Sequence, residues 1–390
     1  MNDVSRSVRS EDLAKVRRPL DEASHAPGRL YSSPEVYERE IQELFMRGWL
    51  FVGRTEELPA PGDYLTLRIA GEPIVIARTP DGDLNAFYNM CVLRGVEVAQ
   101  GCGNTRAFKC PYHGWIYDLS GRLTGAAYMK DSKGFERDGQ RMRPLRLDTW
   151  RRSIFVSFDA EAPPLADFVK EWEKEFAFLH PEDCRLGNRI ELDLGCNWKF
   201  VPENLMDFYH VSVLHAGTFG AKFSWEDENV RLKAGGGLSI FYNAGPPTPG
   251  AQPLLGKMPW IEDRPVSFAC TGFLPPNFSL FGRSDCVRLF VAWPDGPGRS
   301  RTIIYHLFPE SFFARPGFRE TLKIYRDYQL QVLEEDRSML ESMQIAMASP
   351  AYRPGRMSTL EKPLHHDLNG YLDRLFARDG AEAAGLGGTR

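Results

Sequence analysis

The sequence lacks long apolar runs, a strong excess of charge of one sign and a cysteine framework. None of its 390 residues falls in a run of about 18 apolar residues, the minimum for a membrane-spanning helix. The 48 basic and 52 acidic residues are mixed along the chain, which argues against nucleic-acid or membrane-surface binding. Seven scattered cysteines do not indicate a disulfide scaffold. Because the polar start has no signal-peptide core, we predict a cytoplasmic protein without nucleic-acid or membrane partners.

The first part of the chain is predicted to be an arm and helix followed by a β domain. Hydrophobic residues make up 43% of the sequence, enough for a sizeable core. Residues 1–45 form the first segment, in which 1–30 are expected to be loosely ordered. A helix then begins at Ser33-Pro34, since serine caps helices and proline fits the first turn. Alternating and apolar runs separated by turns predict an antiparallel β domain over 46–157.

The second part is predicted to be an α+β domain over 158–378. Helices are expected at 166–177 and 203–214, and a long one at 315–347. Strands grouped between helices indicate an antiparallel sheet. A glycine-rich tail at 379–390 is expected to be flexible. The predicted strands of this domain are 190–194, 238–242, 266–271, 278–281, 287–292 and 302–308.

Two cysteine-bearing turns of the β domain carry the spacing of a metal site. Cys91-Val92-Leu93 is followed by Cys110-Pro111-Tyr112-His113. Rieske clusters use Cys-x-His…Cys-x-x-His, in which two thiolates hold one iron and two imidazoles hold the other. Cys91, Cys110 and His113 match three of these four ligands. Leu93 stands at the fourth position and has no lone pair with which to bind iron.

Leu93 leaves several interpretations of this site open. The cluster assembles with water or another side chain in the vacant position, or the site holds a different metal or none. Cys91, Cys102, Cys110 and His113 would satisfy a tetrahedral zinc site in number. Otherwise the leucine is a deliberate substitution that disables electron transfer, or a natural change that accompanies an altered function.

A second group of candidate ligands lies on the helix predicted at 203–214. His210 and His215 are five residues apart, so an ideal helix would place them about 140° apart around its axis. Both reach one metal only if the helix ends or distorts between them. Asp207 precedes His210 by three residues, on the same face. A carboxylate from Glu334-Glu335-Asp336 would complete two histidines and one carboxylate, the ligand set of non-haem Fe(II) oxygenases.

Together, the cysteine motif and the Glu-Asn…Asp-x-Tyr-His-x4-His segment ending at His215 resemble the catalytic (alpha) subunit of Rieske non-haem iron oxygenases. This is the ring-hydroxylating and demethylating family, and the resemblance covers about residues 40–350. It implies a Rieske-like β domain with a [2Fe-2S] cluster and a helix-grip catalytic domain. It also implies that His210, His215 and Asp336 hold a mononuclear Fe(II).

The resemblance further implies how electrons and oxygen reach the iron. An aspartate at the position of Asp207 would join His113 of one chain to His210 of the next within a homotrimer. A separate reductase, with or without a ferredoxin, would supply electrons from NAD(P)H, because the sequence has no strand–Gly-x-Gly-x-x-Gly–helix unit. The predicted reaction is O2-dependent hydroxylation or demethylation of a small aromatic substrate.

Two other functions compete with this prediction. The first is an electron-transfer-deficient or non-catalytic relative that acts as a trimeric scaffold or ligand-binding subunit. The second is a zinc-binding structural module, which explains the cysteines but not the second group of candidate ligands. Retention of His210, His215 and Asp336 favours the oxygenase, because a binding protein has no need of an iron ligand set.

Overall fold

The computed structural model describes residues 8–377, which divide between two compact units. The β-rich unit comprises residues 46–168. The mixed unit joins the residues before 46 to those after 168. The β-rich unit therefore extends past position 157, and the tail predicted at 379–390 lies outside the described residues.

The elements are numbered in chain order. The helices are α1 (Ser10–Val16), α2 (Arg29–Ser32), α3 (Pro34–Glu40), α4 (Leu165–Phe168), α5 (Lys170–Phe176), α6 (Phe200–Met206), α7 (Val211–Leu214), α8 (Phe318–Ala348) and α9 (Lys362–Leu375). The strands are β1 (Leu50–Arg54), β2 (Asp63–Ile69), β3 (Glu72–Arg78), β4 (Leu84–Tyr88), β5 (Cys102–Asn104), β6 (Phe108–Lys109), β7 (Ile116–Tyr117), β8 (Leu123–Gly125), β9 (Pro144–Trp150), β10 (Ser153–Ser157), β11 (Cys184–Leu194), β12 (Ser224–Leu232), β13 (Leu238–Asn243), β14 (Phe268–Leu274), β15 (Phe278–Arg283), β16 (Val287–Pro294) and β17 (Ser300–Pro309). Among the described residues, no helix combines the length and apolar character needed to cross a membrane.

The β-rich unit contains two antiparallel sheets. Seven strands form the larger sheet in the order β1-β10-β9-β4-β3-β2-β5, and β6-β7-β8 form the smaller one. A buried cluster that includes Phe87, Phe108, Trp115 and Tyr117 fills this unit beneath the cysteine-bearing turns. Strand β1 could not be recognised from the sequence, because all five of its residues are buried and it shows no alternation of polar and apolar residues.

The mixed unit is built on one antiparallel sheet with the long helix α8 packed on it. The strand order is β11-β17-β16-β15-β14-β13-β12. Leu330 and Leu333 of α8 pack against a buried cluster that includes Ile190, Phe290 and Ile304 of the sheet. The predicted α+β class, with an antiparallel sheet and a long late helix, is confirmed.

Several local predictions for this unit are wrong. Residues 10–30 are not a loose arm, since they contain α1, and Val16 and Leu30 are buried. The helix predicted at 166–177 is two short helices, α4 and α5. The strand β12 was missed because its Trp-Glu-Asp-Glu-Asn run disfavours strand formation, and it tolerates these residues as an exposed edge strand.

Helix α3 is anchored in the mixed unit through its last residue, Glu40. The carboxylate is fully buried and accepts hydrogen bonds from Trp198 Nε1 at 2.9 Å, Lys199 Nζ at 2.5 Å and Tyr371 OH at 2.6 Å. These donors come from the start of α6 and from α9. Because a buried ion pair is tolerated only when its other hydrogen bonds are also made, this cluster fixes three helices together.

We expect Glu40→Ala to lower the free energy of unfolding by about 3–5 kcal/mol, because it leaves Lys199 buried without its counter-charge. Urea unfolding followed by tryptophan fluorescence measures this change. The matched control is Glu228→Ala on the exposed face of β12, which should change stability by less than about 0.5 kcal/mol. Equal effects of the two substitutions would contradict the role given to Glu40.

Candidate metal centre

The two candidate histidine ligands flank the one-turn helix α7, which ends at Leu214 and so leaves His215 outside the helix. Helix α6 ends at Met206, and Asp207 is extended, with φ −80° and ψ 97°. Its Oδ1 accepts the Tyr209 N–H at 2.8 Å, a local hydrogen bond that competes with continuation of the helix. Helix α7 starts at Val211, so the helix predicted over 203–214 is two helices with a turn between them.

Because His215 lies beyond the end of α7, two imidazoles five residues apart face the same point. His210 Nε2 and His215 Nε2 are 3.3 Å apart. Asp336 Oδ1, supplied by α8, lies 3.0 Å from His215 Nε2 and 3.7 Å from His210 Nε2. We call these three residues the triad. Each of the three residues offers one atom that can bind a metal, and these three atoms lie within 4.8 Å of one another.

The chemistry of the triad fits a divalent metal ion. Asp336 Oδ1 is buried and accepts no hydrogen bond from residues 8–377. An unsatisfied buried carboxylate oxygen is costly unless a cation or donor meets it. Two imidazole nitrogens and one carboxylate oxygen can hold Fe(II) while leaving other coordination positions open.

Two further carboxylates orient the imidazoles of the triad. Glu335 Oε2 accepts His215 Nδ1–H at 2.7 Å and Thr218 Oγ1–H at 3.0 Å. Asp207 Oδ2 lies 3.1 Å from His210 Nδ1. A carboxylate at Nδ1 favours the tautomer whose Nε2 lone pair is free for a metal. Burial opposes protonation of His215, but the adjacent carboxylates of Asp336 and Glu335 outweigh it and raise its pKa above the usual value.

The structure distinguishes the three adjacent acidic residues of α8. Asp336 faces the imidazoles, and Glu335 contacts the far nitrogen of His215. Glu334 has a side chain that is 72% exposed and lies 3.7 Å from Arg337. The sequence motif did not assign a position to Glu335, because a contact with His215 depends on how α8 packs and not on local spacing.

The cysteine-bearing turns of the β-rich unit have matching backbone geometry. Gly95 N–H donates to Cys91 O at 2.8 Å, and Gly114 N–H donates to Cys110 O at 3.0 Å. Both glycines have left-handed φ values, of 74° and 73°, which favour glycine over other residues. Cys91 and Cys110 are buried, whereas His113 is exposed at the end of its turn. The two turns therefore share one backbone shape from the cysteine to the glycine, in which Leu93 corresponds to Tyr112 and Arg94 to His113.

Leu93 is 37% exposed and lies two residues after Cys91, whereas His113 lies three residues after Cys110. Cys102 lies elsewhere, exposed in β5 and paired with Leu65 of β2. Cys91, Cys102, Cys110 and His113 contribute to no set of donor atoms within 4.8 Å of one another. This separation argues against a single zinc ion. Cys91, Cys110 and His113 fit a cluster, and Leu93 does not fit the fourth ligand position.

A pocket opens beside the triad in the mixed unit. Its empty volume is about 730 Å³, and both histidines and Asp336 line it. Its walls are largely apolar and include several aromatic rings, which favours an apolar substrate body. Arg283 and Arg288 are the basic residues of the wall, and sequence analysis had given them no role. The aromatic residues include Phe208, Phe219, Phe223, Tyr242, Phe281 and Phe290.

Family comparisons agree with this arrangement of two units. Residues 181–376 match the family described as the ring hydroxylating alpha subunit (catalytic domain), and residues 48–136 match the Rieske [2Fe-2S] domain. The chain belongs to the Rieske oxygenase alpha subunits. The predicted family and oxygenase class are confirmed, and so are the cofactors of the family, a [2Fe-2S] cluster and a mononuclear iron.

Individual relatives of this Rieske oxygenase subunit differ in the substrates for which they are named. Choline monooxygenase from Beta vulgaris is 26% identical over 355 residues, covering 89% of this chain and 76% of the relative. The large subunit of anthranilate 1,2-dioxygenase from Burkholderia cepacia is 34% identical over 222 residues, covering 53% and 51%. A quaternary ammonium Rieske monooxygenase crystallised with L-carnitine has a TM-score of 0.74, 24% identity and coverage of 92% and 96%, which shows a shared fold.

We expect substitutions of the three acidic residues on α8 to separate their roles in Fe(II) binding. Asp336→Ala should abolish binding because it removes a ligand, and Glu335→Ala should weaken it by about 10–100-fold because it removes the hydrogen bond to His215. Glu334→Ala is the matched control and should bind normally. Anaerobic calorimetry with Fe(II) measures the affinities. A loss in Glu334→Ala as large as that in Asp336→Ala would contradict the assignment.

Proposed function

We propose that this subunit hydroxylates or demethylates a small organic substrate bound in the pocket beside the triad. One observation carries the proposal: two imidazoles and one carboxylate converge at the wall of a pocket lined mainly by apolar residues, several of them aromatic. The triad would hold the mononuclear iron, which when bound supplies the activation of O2 that protein side chains do not provide.

The residues around the triad would keep it ready for metal. Glu335 holds a proton at Nδ1 of His215 through a hydrogen bond, and the Asp207 carboxylate, 3.1 Å from Nδ1 of His210, favours a proton at that atom too, which leaves both Nε2 atoms facing the site. Phe219 stacks on His215 with ring centroids 4.7 Å apart, which limits rotation of that imidazole. The remaining aromatic walls would exclude water and orient the substrate.

An aromatic substrate is the class that the walls support, as the sequence resemblance implied. A quaternary ammonium substrate is the second candidate, because relatives are named for choline and L-carnitine. Phe208, Phe223 and Tyr242 contact one another with centroids 5.0–5.4 Å apart, and such rings can bind a cation. However, the Arg283 guanidinium already lies 5.1 Å from the Tyr242 centroid, so this ring is occupied by another cation.

The supply of electrons is a separate part of the proposal. Asp207 has a side chain that is 25% exposed beside His210, so its carboxylate is open to His113 of a neighbouring chain in a homotrimer. A separate reductase, with or without a ferredoxin, would be the electron donor. Because Leu93 leaves the ligand set of the cluster incomplete, the unmodified chain is proposed to retain the oxygenase site while its electron supply is impaired.

We expect Leu93→His to restore a Rieske-type cluster, because it supplies the missing imidazole on a turn that matches the one carrying His113. Acid-labile sulfide should rise to about two per chain, and the reduced protein should show a Rieske-type EPR signal. The matched control is Val92→His, at an adjacent exposed position, which should restore neither. Full sulfide content and this signal in the unmodified chain would show that Leu93 does not disable the cluster.

The oxygenase activity itself is tested in the Leu93→His protein with a reductase and NADH. Aromatic acids, neutral aromatics and quaternary ammonium compounds form the substrate panel. We expect O2 uptake that depends on substrate and yields a hydroxylated or demethylated product, and His210→Ala should abolish it. The absence of product from the whole panel, or product formation unchanged by His210→Ala, would contradict the proposed function.

A further inference from the structure

We infer that the substrate carries an anionic group, such as a carboxylate, which Arg283 and Arg288 bind away from the triad. These two residues are called the arginine pair. The inference rests on the proposed function, because it concerns the same pocket, and it deepens that proposal by naming the charge and orientation of the substrate.

The arginine pair is buried without an ion-pair partner among the described residues. Arg283 is 5% exposed and Arg288 is 7% exposed, and both line the pocket. Among residues 8–377, no carboxylate oxygen lies within 4.0 Å of either guanidinium group, the distance limit for an ion pair. Arg288 Nη1 donates to Gln329 Oε1 at 2.5 Å, while its Nε is buried without a hydrogen-bond partner. Since buried charges are normally paired, these groups point to an anion that arrives with the ligand.

Among residues 8–377, no neighbouring titratable group forms an ion pair with the arginine pair. Asp285 accepts a hydrogen bond from Tyr325, does not line the pocket and forms no ion pair within 4.0 Å with either guanidinium, although its charge acts on Arg288 from a greater distance. His306 lies opposite Arg288 on the adjacent strand, and burial together with the charge of Arg288 lowers its pKa to about 3. Burial and the like charge of Arg283 lower the pKa of Arg288 to about 10, which still leaves it charged at neutral pH.

Aromatic rings hold the arginine pair in place. The Arg283 guanidinium carbon lies 5.1 Å from the centroid of Tyr242, and that of Arg288 lies 5.5 Å from Phe281 and 5.7 Å from Phe290. Such contacts hold the cations while leaving N–H groups available for other partners. A carboxylate is the common ligand with two oxygens that match two guanidinium N–H groups.

Helix α8 relates the arginine pair to the triad. Gln329, Val332, Leu333 and Asp336 all line the pocket, and their spacing places them on one face of the helix. Gln329 contacts Arg288, whereas Asp336 belongs to the triad. Seven residues separate them, which is about 10 Å along the helix axis. The apolar residues Val332 and Leu333 lie between these two positions.

This arrangement orients the substrate. The anionic group would lie beside Gln329 and the arginine pair, and the apolar body would lie along Val332 and Leu333. The carbon to be oxidised would then face the triad. An aromatic or short-chain acid fits this order of groups, and a zwitterion with a carboxylate also does. A substrate that carries only a positive charge would meet the two guanidinium groups without compensation.

Binding of three matched probes to the unmodified, Fe(II)-loaded protein tests the inference under anaerobic conditions. The probes are 3-phenylpropanoate, 3-phenylpropanamide and (2-phenylethyl)trimethylammonium, and calorimetry measures their affinities. We expect the acid to bind at least about tenfold more tightly than the amide, and the cation to bind most weakly. Equal affinity of acid and amide, or tighter binding of the cation, would overturn the inference.

Variants identify the residues responsible. In Arg288→Gln and Arg283→Gln the acid should lose its advantage over the amide, whereas Arg288→Lys should retain part of it. The matched control is Arg301→Gln on β17, an arginine that is 52% exposed and pairs with Asp193. An acid preference that survives in both glutamine variants would overturn the role of the arginine pair. Thermal unfolding shows whether each variant is folded. The comparison of the three probes in the unmodified protein tests the inference even if a variant does not fold.

The two proposals fail in different ways. If the acid binds through the arginine pair but no substrate is oxidised by the Leu93→His protein, the proposed function fails and the inference stands. If substrates are oxidised while acid and amide bind equally, the inference fails and the function stands.

Discussion

The mixed unit is organised by the requirement that three donor atoms meet at one point. His210 and His215 could not meet on a continuous helix, and α7 ends at Leu214, between them. Helix α6 ends before both, where the carboxylate of Asp207 accepts the Tyr209 N–H. The third donor comes from α8, more than a hundred residues later in the chain. Packing of Leu330 and Leu333 on the sheet places this helix, so the hydrophobic core determines whether the triad forms.

Charge is distributed unevenly around the pocket. The triad end carries Asp336 with Glu335 and Asp207 behind the imidazoles, whereas the arginine pair lies toward Gln329. Each end holds a buried charged group with an atom that has no hydrogen-bond partner: Asp336 Oδ1 at the triad and Arg288 Nε in the arginine pair. Such sites reduce the stability of the empty protein and gain binding energy when their ligands arrive. Metal and substrate would therefore each stabilise a different part of the same pocket.

Sequence reasoning was most reliable where chemistry depends on local spacing. The Cys-x-x-His segment, the two histidines and the acidic run at 334–336 were sufficient to recognise the family and both of its cofactors. The need for a break between His210 and His215 also followed from helix geometry alone. Strand β12 could not be predicted, because its charged residues are tolerated only at an exposed sheet edge.

The arginine pair and the contact of Glu335 with His215 were equally hidden in the sequence. Arg283 and Arg288 occupy ordinary strand positions, and nothing local shows that they face a cavity. Their significance comes from the lack of an ion-pair partner among the described residues, which appears only when the neighbours from other strands and from α8 are known. The family resemblance had already named Asp336, and the rotation of α8 about its axis explains why Asp336 faces the imidazoles while Glu334 is exposed.

The matching turns of the β-rich unit have a consequence for how such a protein evolves. Their shape is held by backbone hydrogen bonds and by Gly95 and Gly114, so the side chain at position 93 contributes little to it. Some leucine codons differ from histidine codons by one nucleotide. If Leu93 disables the cluster, as proposed, a single point mutation is enough to silence or regain the electron relay without rebuilding the loop, and the oxygenase pocket can diverge while the relay is silent.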